Sequence, residues 1–332
     1  MSNLELVFND NSFKIEPEDF NVFRIYNSND FLRIESPEMK YYLEPLIRNE
    51  SIILITGPAG CGKTMFTMGL CKSLVSGKSF GNWNVKNKCN VLYIDGELPI
   101  YLMKKRIHLI SMYENEFYIL SSAVGRKNYN LSDQSFRDYI FDQLKEKDIQ
   151  VCVFDNLSSL SNGIDENSKR EYDPINKFFL HLRRNGITSI IVHHTGKSNK
   201  NEQRGTSART DNIDICCNIH SPIKNDKLYV NLEFRKWRFE RSELLKYDSF
   251  VFDNGEWILS NDNSDKISDQ YISILEMISM KMSQTEIAKK LNCTQPNVAK
   301  ICKKMREDGL LDMKNHITDE GMKYITEKTV VS

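Results

Sequence analysis

The sequence predicts a mixed α/β chain with a mainly parallel sheet, followed by a small winged helix-turn-helix unit. Three observations carry this. From about residue 51 to 260, short β-branched apolar runs alternate with longer amphipathic stretches, the pattern of strands buried on both faces and covered by helices. The segment Gly57-Pro-Ala-Gly-Cys-Gly-Lys63-Thr64 links one such run to a helix and matches G-x-x-x-x-G-K-[ST] in full. Beyond the polar stretch Ser260 to Asp265 the periodicity turns helical, and a Ser-x-x-Glu capping signal appears at Ser283 and Glu286.

In order, Ser51 to Thr56 reads as a strand and Gly62 to Val75 as a helix. Asn90 to Ile94 is the next strand, and Pro99 to Tyr113 a helix with Pro in its first turn. Phe117 to Leu120 is a short strand, Asp133 to Lys147 a helix and Val151 to Phe154 a strand. Lys169 to Arg184 is a helix stopped by Asn185-Gly186, and Ile187 to Val192 a strand. Leu228 to Phe234 and Phe250 to Leu259, the latter split by Asp253 to Glu256, read as antiparallel edge strands. The expected organisation is an acidic segment over 1–40, an ATPase-like core over 41–260, and a linker with the winged helix over 261–332.

The chain has 332 residues, 45 basic and 45 acidic, with 40% apolar residues, which excludes global disorder and leaves ample material for a core. No apolar run reaches the ~18 residues that a spanning helix needs, and Met1-Ser-Asn-Leu-Glu is not a secretory start, so no membrane is expected. The eight cysteines form no C-x-x-C pair and have no His at zinc spacing; reduced thiols in a cytoplasmic protein are expected. Neutrality conceals a distribution: −5 over 1–50, +4 over 51–264 and +1 over 265–332. Positive charge concentrates in 196–209, with four basic and one acidic residue, and in 289–306, where Lys289, Lys290, Lys300, Lys303, Lys304 and Arg306 meet no acid.

The loop Gly57, Pro58, Ala59, Gly60, Cys61, Gly62, Lys63 and Thr64 points to nucleotide phosphates. Its glycines let successive backbone N–H groups converge on phosphate oxygens at a helix N-terminus. Lys63 is expected to reach the β- and γ-phosphates of ATP, and the Thr64 hydroxyl to ligate Mg²⁺. A second carboxylate at a strand end is needed for the Mg²⁺ shell, and Asp155, closing Val151 to Phe154, has that place. A third must orient water. Asp95-Gly96-Glu97 ends a neighbouring strand, and Glu97 is the expected base, Asp95 lying nearer the buried strand; the other reading is that both acids only cap the next helix. His194 ends the strand after that and suits a γ-phosphate sensor, a structural histidine being the other reading.

Taken with Val91 to Glu97, Phe154 to Leu160, Val192-His-His-Thr-Gly-Lys197 and Gln203-Arg-Gly-Thr-Ser-Ala-Arg-Thr-Asp211, this order of motifs resembles the RecA-superfamily ATPases of the plasmid RepA type, hexameric replicative helicases related to DnaB. The resemblance covers roughly 40–260. It implies a RecA-like P-loop core, a catalytic Glu97, a sensor His194, and a homo-oligomeric ring with single-stranded DNA in its channel. It implicates Lys197, Lys200, Arg204 and Arg209 in contacting that DNA; their loop has the composition for backbone-phosphate contact and equally that of an ordinary flexible loop. It further implies that Lys236 and Arg238, in Phe234-Arg-Lys-Trp-Arg238, enter a neighbouring subunit's nucleotide site; a solvated strand end is the other reading.

Ser283 to Leu291 and Thr294 to Arg306 read as helix-turn-helix, with Leu310 to Met313 and Ile317 to Gly321 as the wing. Gln295, Asn297, Lys300, Lys303 and Lys304 are the candidates for duplex DNA contact. Such modules also bind proteins, and the minimal plasmid helicase does not need one. The expected activity is thus Mg²⁺-dependent ATP hydrolysis driving a helicase or translocase in replication of a plasmid, phage or mobile element. The alternative is an ATP-switched DNA-binding regulator or loader.

Overall fold

The computed structural model describes residues 24–35, 38–125, 129–163, 168–194, 212–221, 223–224, 227–240, 242, 245, 249–260, 269–291, 293–307 and 309–322. The chain divides into two compact units, 1–259 and 260–332. The first begins with a short helix α1 (Ser28–Leu32), capped by the Asn27 side chain. Strands β1 (Tyr41–Glu44), β2 (Ile47–Arg48) and β4 (Asn84–Val85) form a small antiparallel sheet in the order β2-β1-β4.

Among the described residues the main sheet has ten strands. They are β3 (Ile52–Gly57), β5 (Asn90–Asp95), β6 (Phe117–Ser121), β7 (Ile149–Asp155), β8 (Thr188–His194), β9 (Ile215–His220), β10 (Ile223–Lys224), β11 (Lys227–Trp237), β12 (Ser249–Asp253) and β13 (Glu256–Leu259). Their order is β13-β12-β11-β9-β3-β8-β7-β5-β6, with β10 paired to β11. The run from β9 to β6 is parallel throughout, and β11 to β13 continue it antiparallel. This is the mainly parallel core that the alternating pattern predicts.

Both faces are buried, as the continuous apolar strands require. Ile53, Ile55, Val151 and Val153 point into one core with helix α2 (Lys63–Ser76). Ile52, Leu54, Cys152 and Phe154 point into the other, which α4 (Gln134–Glu146) and α6 (Lys169–Arg184) cover. Eleven of the fourteen residues of α2 are buried, because it is covered by the aromatic cluster of Phe66, Phe80, Trp83, Phe250 and Trp257 as well as by the sheet. Gly69 sits mid-helix where a Cβ would drive into the Trp257 ring.

Two expectations are corrected. β11 is not an edge: it lies between β9 and β12, and the edge on that side is β13. The helix expected from Pro99 to Tyr113 is α3 (Ile100–Leu109); Ser111 turns to φ 51°, which ends it early. Helix α5 (Leu157–Leu160) is a single turn capped by Asn156. Among the described residues no helix is long and apolar enough to cross a membrane.

In the second unit, α7 (Asp269–Ser279), α8 (Gln284–Lys290) and α9 (Gln295–Glu307) pack around Ile274, Ile287, Val298, Cys302 and Met305. Ser283 and Glu286 form the reciprocal capping box that starts α8. Leu311 pairs with Ile317 in an antiparallel bridge, and Asp312 closes the turn between them by accepting from the backbone N–H groups of Lys314 and His316.

Candidate nucleotide site

Parallel register alone brings the predicted residues together. Gly57 of β3 pairs with His194 of β8, Asp155 of β7 pairs with Val192 of β8, and Asp95 of β5 pairs with Asp155. Since β8 lies between β3 and β7, its last residue falls between the phosphate loop and the β7 carboxylate. Ligands of such sheets bind outside these carboxyl ends.

The loop backbone needs its glycines. A Cβ on Gly57 would lie 2.7 Å from the Ile219 carbonyl oxygen, and Gly62 adopts φ +85° with Leu228 Cδ1 2.8 Å from where a Cβ would stand. Lys63, 4% exposed, folds its ammonium back onto the carbonyl oxygens of Gly57 (2.8 Å) and Pro58 (2.7 Å). Burial pushes this ammonium below its ordinary range, opposed by Cys61 and Asp155.

Asp155 is 6% exposed and accepts hydrogen bonds from the Tyr93 hydroxyl, at 2.5 Å, and from the Thr64 hydroxyl. Burial pushes its carboxyl above the usual range; the two hydroxyls and the Arg106 charge oppose this, and Glu97 adds to it. The same burial and the same carboxylate push the Tyr93 hydroxyl well up. Asp95 is likewise raised by burial, and its oxygens accept from Leu98 N–H and Ser121 Oγ, so it caps the turn before α3. Glu97 is free of that duty. Its side chain is 60% exposed, and Oε2 accepts from Asn156 Nδ2. Asn156 Nδ2 also lies 3.1 Å from His194 Nε2, and His194 Nδ1 lies 3.1 Å from Lys63 Nζ. His193 faces the other way, its Nδ1 3.3 Å from Ser158 Oγ.

Asn156 is the site residue that sequence reasoning did not single out. Its signal was slight: a polar residue immediately after the strand-end Asp155.

Residues 22–200, more than half the chain, match the family model AAA_25, an AAA domain. The chain belongs to this AAA domain family. Residues 272–330 match a second model, described as wHTH-PRTase associated. Among solved structures, a KaiC-like protein from Pyrococcus horikoshii OT3 is similar at 13% identity and TM-score 0.48, covering 66% of this chain and 93% of that one. The flagellar accessory protein FlaH from Methanocaldococcus jannaschii is similar at 13% identity and TM-score 0.45, covering 64% and 90%. No curated protein matches.

The AAA domain here is thus the core of a P-loop ATPase, a class that uses ATP and Mg²⁺. Its residues fit both. The loop holds a buried ammonium that meets two carbonyl oxygens, the Cys61 sulfur and a histidine nitrogen, a place that an anion would neutralise. Thr64 and Asp155 already share a hydrogen bond and offer hard oxygen donors. Among the described residues no group of three or more His, Cys, Asp or Glu side chains is arranged to hold a metal by itself. A cation bound by Thr64 and Asp155 would draw its other ligands from phosphate and water, as Mg²⁺ does.

Other predicted residues are not gathered here. Trp237 pairs with Ile215 at the start of β9 and the Arg238 N–H bonds the Asp214 carbonyl oxygen, at the amino end of the sheet, while Lys236 pairs with Cys216. Cys216 is level with Leu54 of β3, so Lys236 stands three residues from Gly57 along the strand direction, roughly 10 Å at about 3.3 Å per residue, and Arg238 lies farther. Arg238 Nη1 lies 3.3 Å from Asp214, which also receives Arg183 and the Ile52 N–H. Lys197, Lys200, Arg204 and Arg209 lie outside the described residues. In the second unit, Gln295, Asn297, Lys300 and Lys303 are exposed on α9, while Val298, Cys302 and Met305 face its core; Lys304 lies in the same helix.

Proposed function

We propose that the chain is a Mg²⁺-dependent ATP hydrolase that acts on DNA, as a ring-forming helicase or translocase in replication. The observation that carries the ATPase reading is the convergence of Lys63, Thr64, Asp155, Glu97 and His194 at neighbouring strand ends. Lys63 neutralises the β- and γ-phosphates, and Thr64 and Asp155 hold the metal. Bound Mg²⁺ supplies charge neutralisation to the phosphates. Glu97, exposed and held at one oxygen by Asn156, orients the attacking water and receives its proton. His194 senses the terminal phosphate from between the two strands.

Oligomeric action is supported by the position of Lys236 and Arg238. Neither stands at the carboxyl end of the sheet beside its own loop, and a cation supplied to a neighbour would couple turnover to assembly. Duplex contact is supported by the polar and basic face of α9, where Gln295, Asn297, Lys300 and Lys303 are exposed; Gln295, Asn297 and Lys300 are assigned to the groove and Lys303 and, by its place in the sequence, Lys304 to phosphates. Lys197, Lys200, Arg204 and Arg209 are assigned to single-stranded DNA in the channel.

Glu97→Gln tests the chemistry: ATP still binds while turnover falls about a hundredfold or more. Normal hydrolysis by this variant would remove Glu97 as the base. The winged unit favours one second reading, an ATP-switched regulator or loader that binds duplex without separating strands. Strand displacement on a forked duplex, run beside filter binding to plain duplex, decides between them. Tight duplex binding without unwinding selects the switch.

A further inference from the structure

We infer that Asn156 is a positioning residue that fixes the tautomer of His194, so that the ring and Lys63 present two donors to the terminal phosphate of a nucleoside triphosphate. The inference rests on the ATPase reading above and names how that site distinguishes a triphosphate from a diphosphate.

The argument is a count of donors and acceptors. The Asn156 amide cannot be flipped: its Oδ1 accepts from the backbone N–H of Ser159 at 2.9 Å, and a backbone N–H only donates. Its Nδ2 therefore points the other way, giving one proton to Glu97 Oε2 and facing His194 Nε2 with the second at 3.1 Å. On the far side of the ring, Lys63 Nζ faces Nδ1, also at 3.1 Å, and an ammonium only donates. A neutral imidazole has one lone pair for these two donors. One of the two contacts must be a donor facing a donor.

Position decides which. Asn156 is 3% exposed and tied at its oxygen, so its amide cannot turn away. Lys63 can: its ammonium has the Gly57 and Pro58 carbonyl oxygens as acceptors and rotates freely about its last bond. Glu97 does not compete, because its Oε2 is 3.7 Å from Nε2, beyond hydrogen-bond reach. Nε2 therefore keeps the lone pair and the proton sits on Nδ1. The Nδ1–H then points at the Lys63 ammonium, an arrangement that only an intervening anion reconciles. A phosphoryl oxygen accepts from both, and such charge-assisted bonds are the strong ones. The terminal phosphate of a triphosphate supplies that oxygen; a diphosphate ends one group short.

The test reads the ring directly. In the full chain labelled with ¹⁵N-histidine, free of nucleotide, His194 is assigned as the resonance pair lost in His194→Gln. The expected wild-type pattern is the Nδ1–H tautomer. Asn156→Asp replaces the donor by an acceptor, and Asn156→Ala leaves Lys63 as the ring's single donor; both move His194 to Nε2–H. A wild-type ring in the Nε2–H form overturns the inference without need of any variant, as does a tautomer that neither substitution changes. In calorimetric titrations with ADP and with non-hydrolysable AMPPNP, the wild-type preference for the triphosphate contracts about tenfold in each variant, the worth of one hydrogen bond to a charged group. An undiminished preference in folded variants also overturns it. If the wild type binds neither nucleotide, the ATPase reading fails while the tautomer, measured without nucleotide, is still decided.

Discussion

The two ends of the parallel sheet treat buried charge in opposite ways. At the carboxyl end, Lys63 and Asp155 are both held against their preferred ionisation by burial, and two donors contend for one histidine lone pair. At the amino end, Asp214 is 5% exposed, yet Arg183, Arg238 and the Ile52 N–H are all matched to its two oxygens. One cluster is incomplete without an anion and a cation; in the other, both oxygens of the buried carboxylate already have their donors. A buried carboxylate whose acceptors are filled holds the fold, and a cluster of donors left facing one another is set for a ligand.

Substitutions at the two ends should therefore separate activity from stability. Lys63→Ala should lower ATP turnover about a thousandfold, while its melting temperature does not fall, because a desolvated ammonium is removed. A large drop in melting temperature would make Lys63 structural. Asp214→Ala should do the reverse: chemical denaturation should show a loss of about 2–4 kcal/mol, since two guanidinium groups lose their shared partner while remaining partly solvated. Its affinity for ATP should stay unchanged, and a weakened affinity would show that the two ends are coupled. Gly69→Ala should be milder, about 1–3 kcal/mol by denaturation, as the Trp257 ring must shift to admit a methyl group.

The smallest effect lies in the wing. The Asp312 carboxyl is held below the usual range, first by the His316 backbone N–H and then by the His316 ring and the Lys314 N–H. A depressed folded value means that its stabilisation is present above the unfolded value, about 3.9, and is lost as pH falls through the folded one. Amide-exchange protection at Lys314 and His316 should be constant near neutrality and decline only in strong acid. Protection lost between pH 7 and 5 would show that the Asp312 carboxylate does not hold the turn.

Much of this was legible in the sequence. The phosphate loop, Asp155, Glu97 and His194 each follow a recognisable apolar strand, and strand-end position is what the site is made of. What stayed hidden depends on register between distant strands. Asn156 matters only because β7 lies beside both β5 and β8. Asp214 gave no sign, because Ile52, Arg183 and Arg238 reach it from three separate elements. β9 went unread because Ile215-Cys-Cys-Asn-Ile-His220 lacks the unbroken β-branched character of its neighbours. β11 reads as an edge because nothing in Leu228 to Phe234 shows that the β12–β13 hairpin covers its outer side.

The aromatic cover of α2 has one more consequence. Of the three tryptophans, Trp257 donates its indole N–H to the Met65 carbonyl oxygen at 3.2 Å, two residues beyond Lys63. The chain thus carries its own optical probe, a fluorophore bonded to the first turn of the phosphate-binding helix. Nucleotide arrival at the loop should therefore shift the emission of that indole, which a label-free fluorescence titration would read.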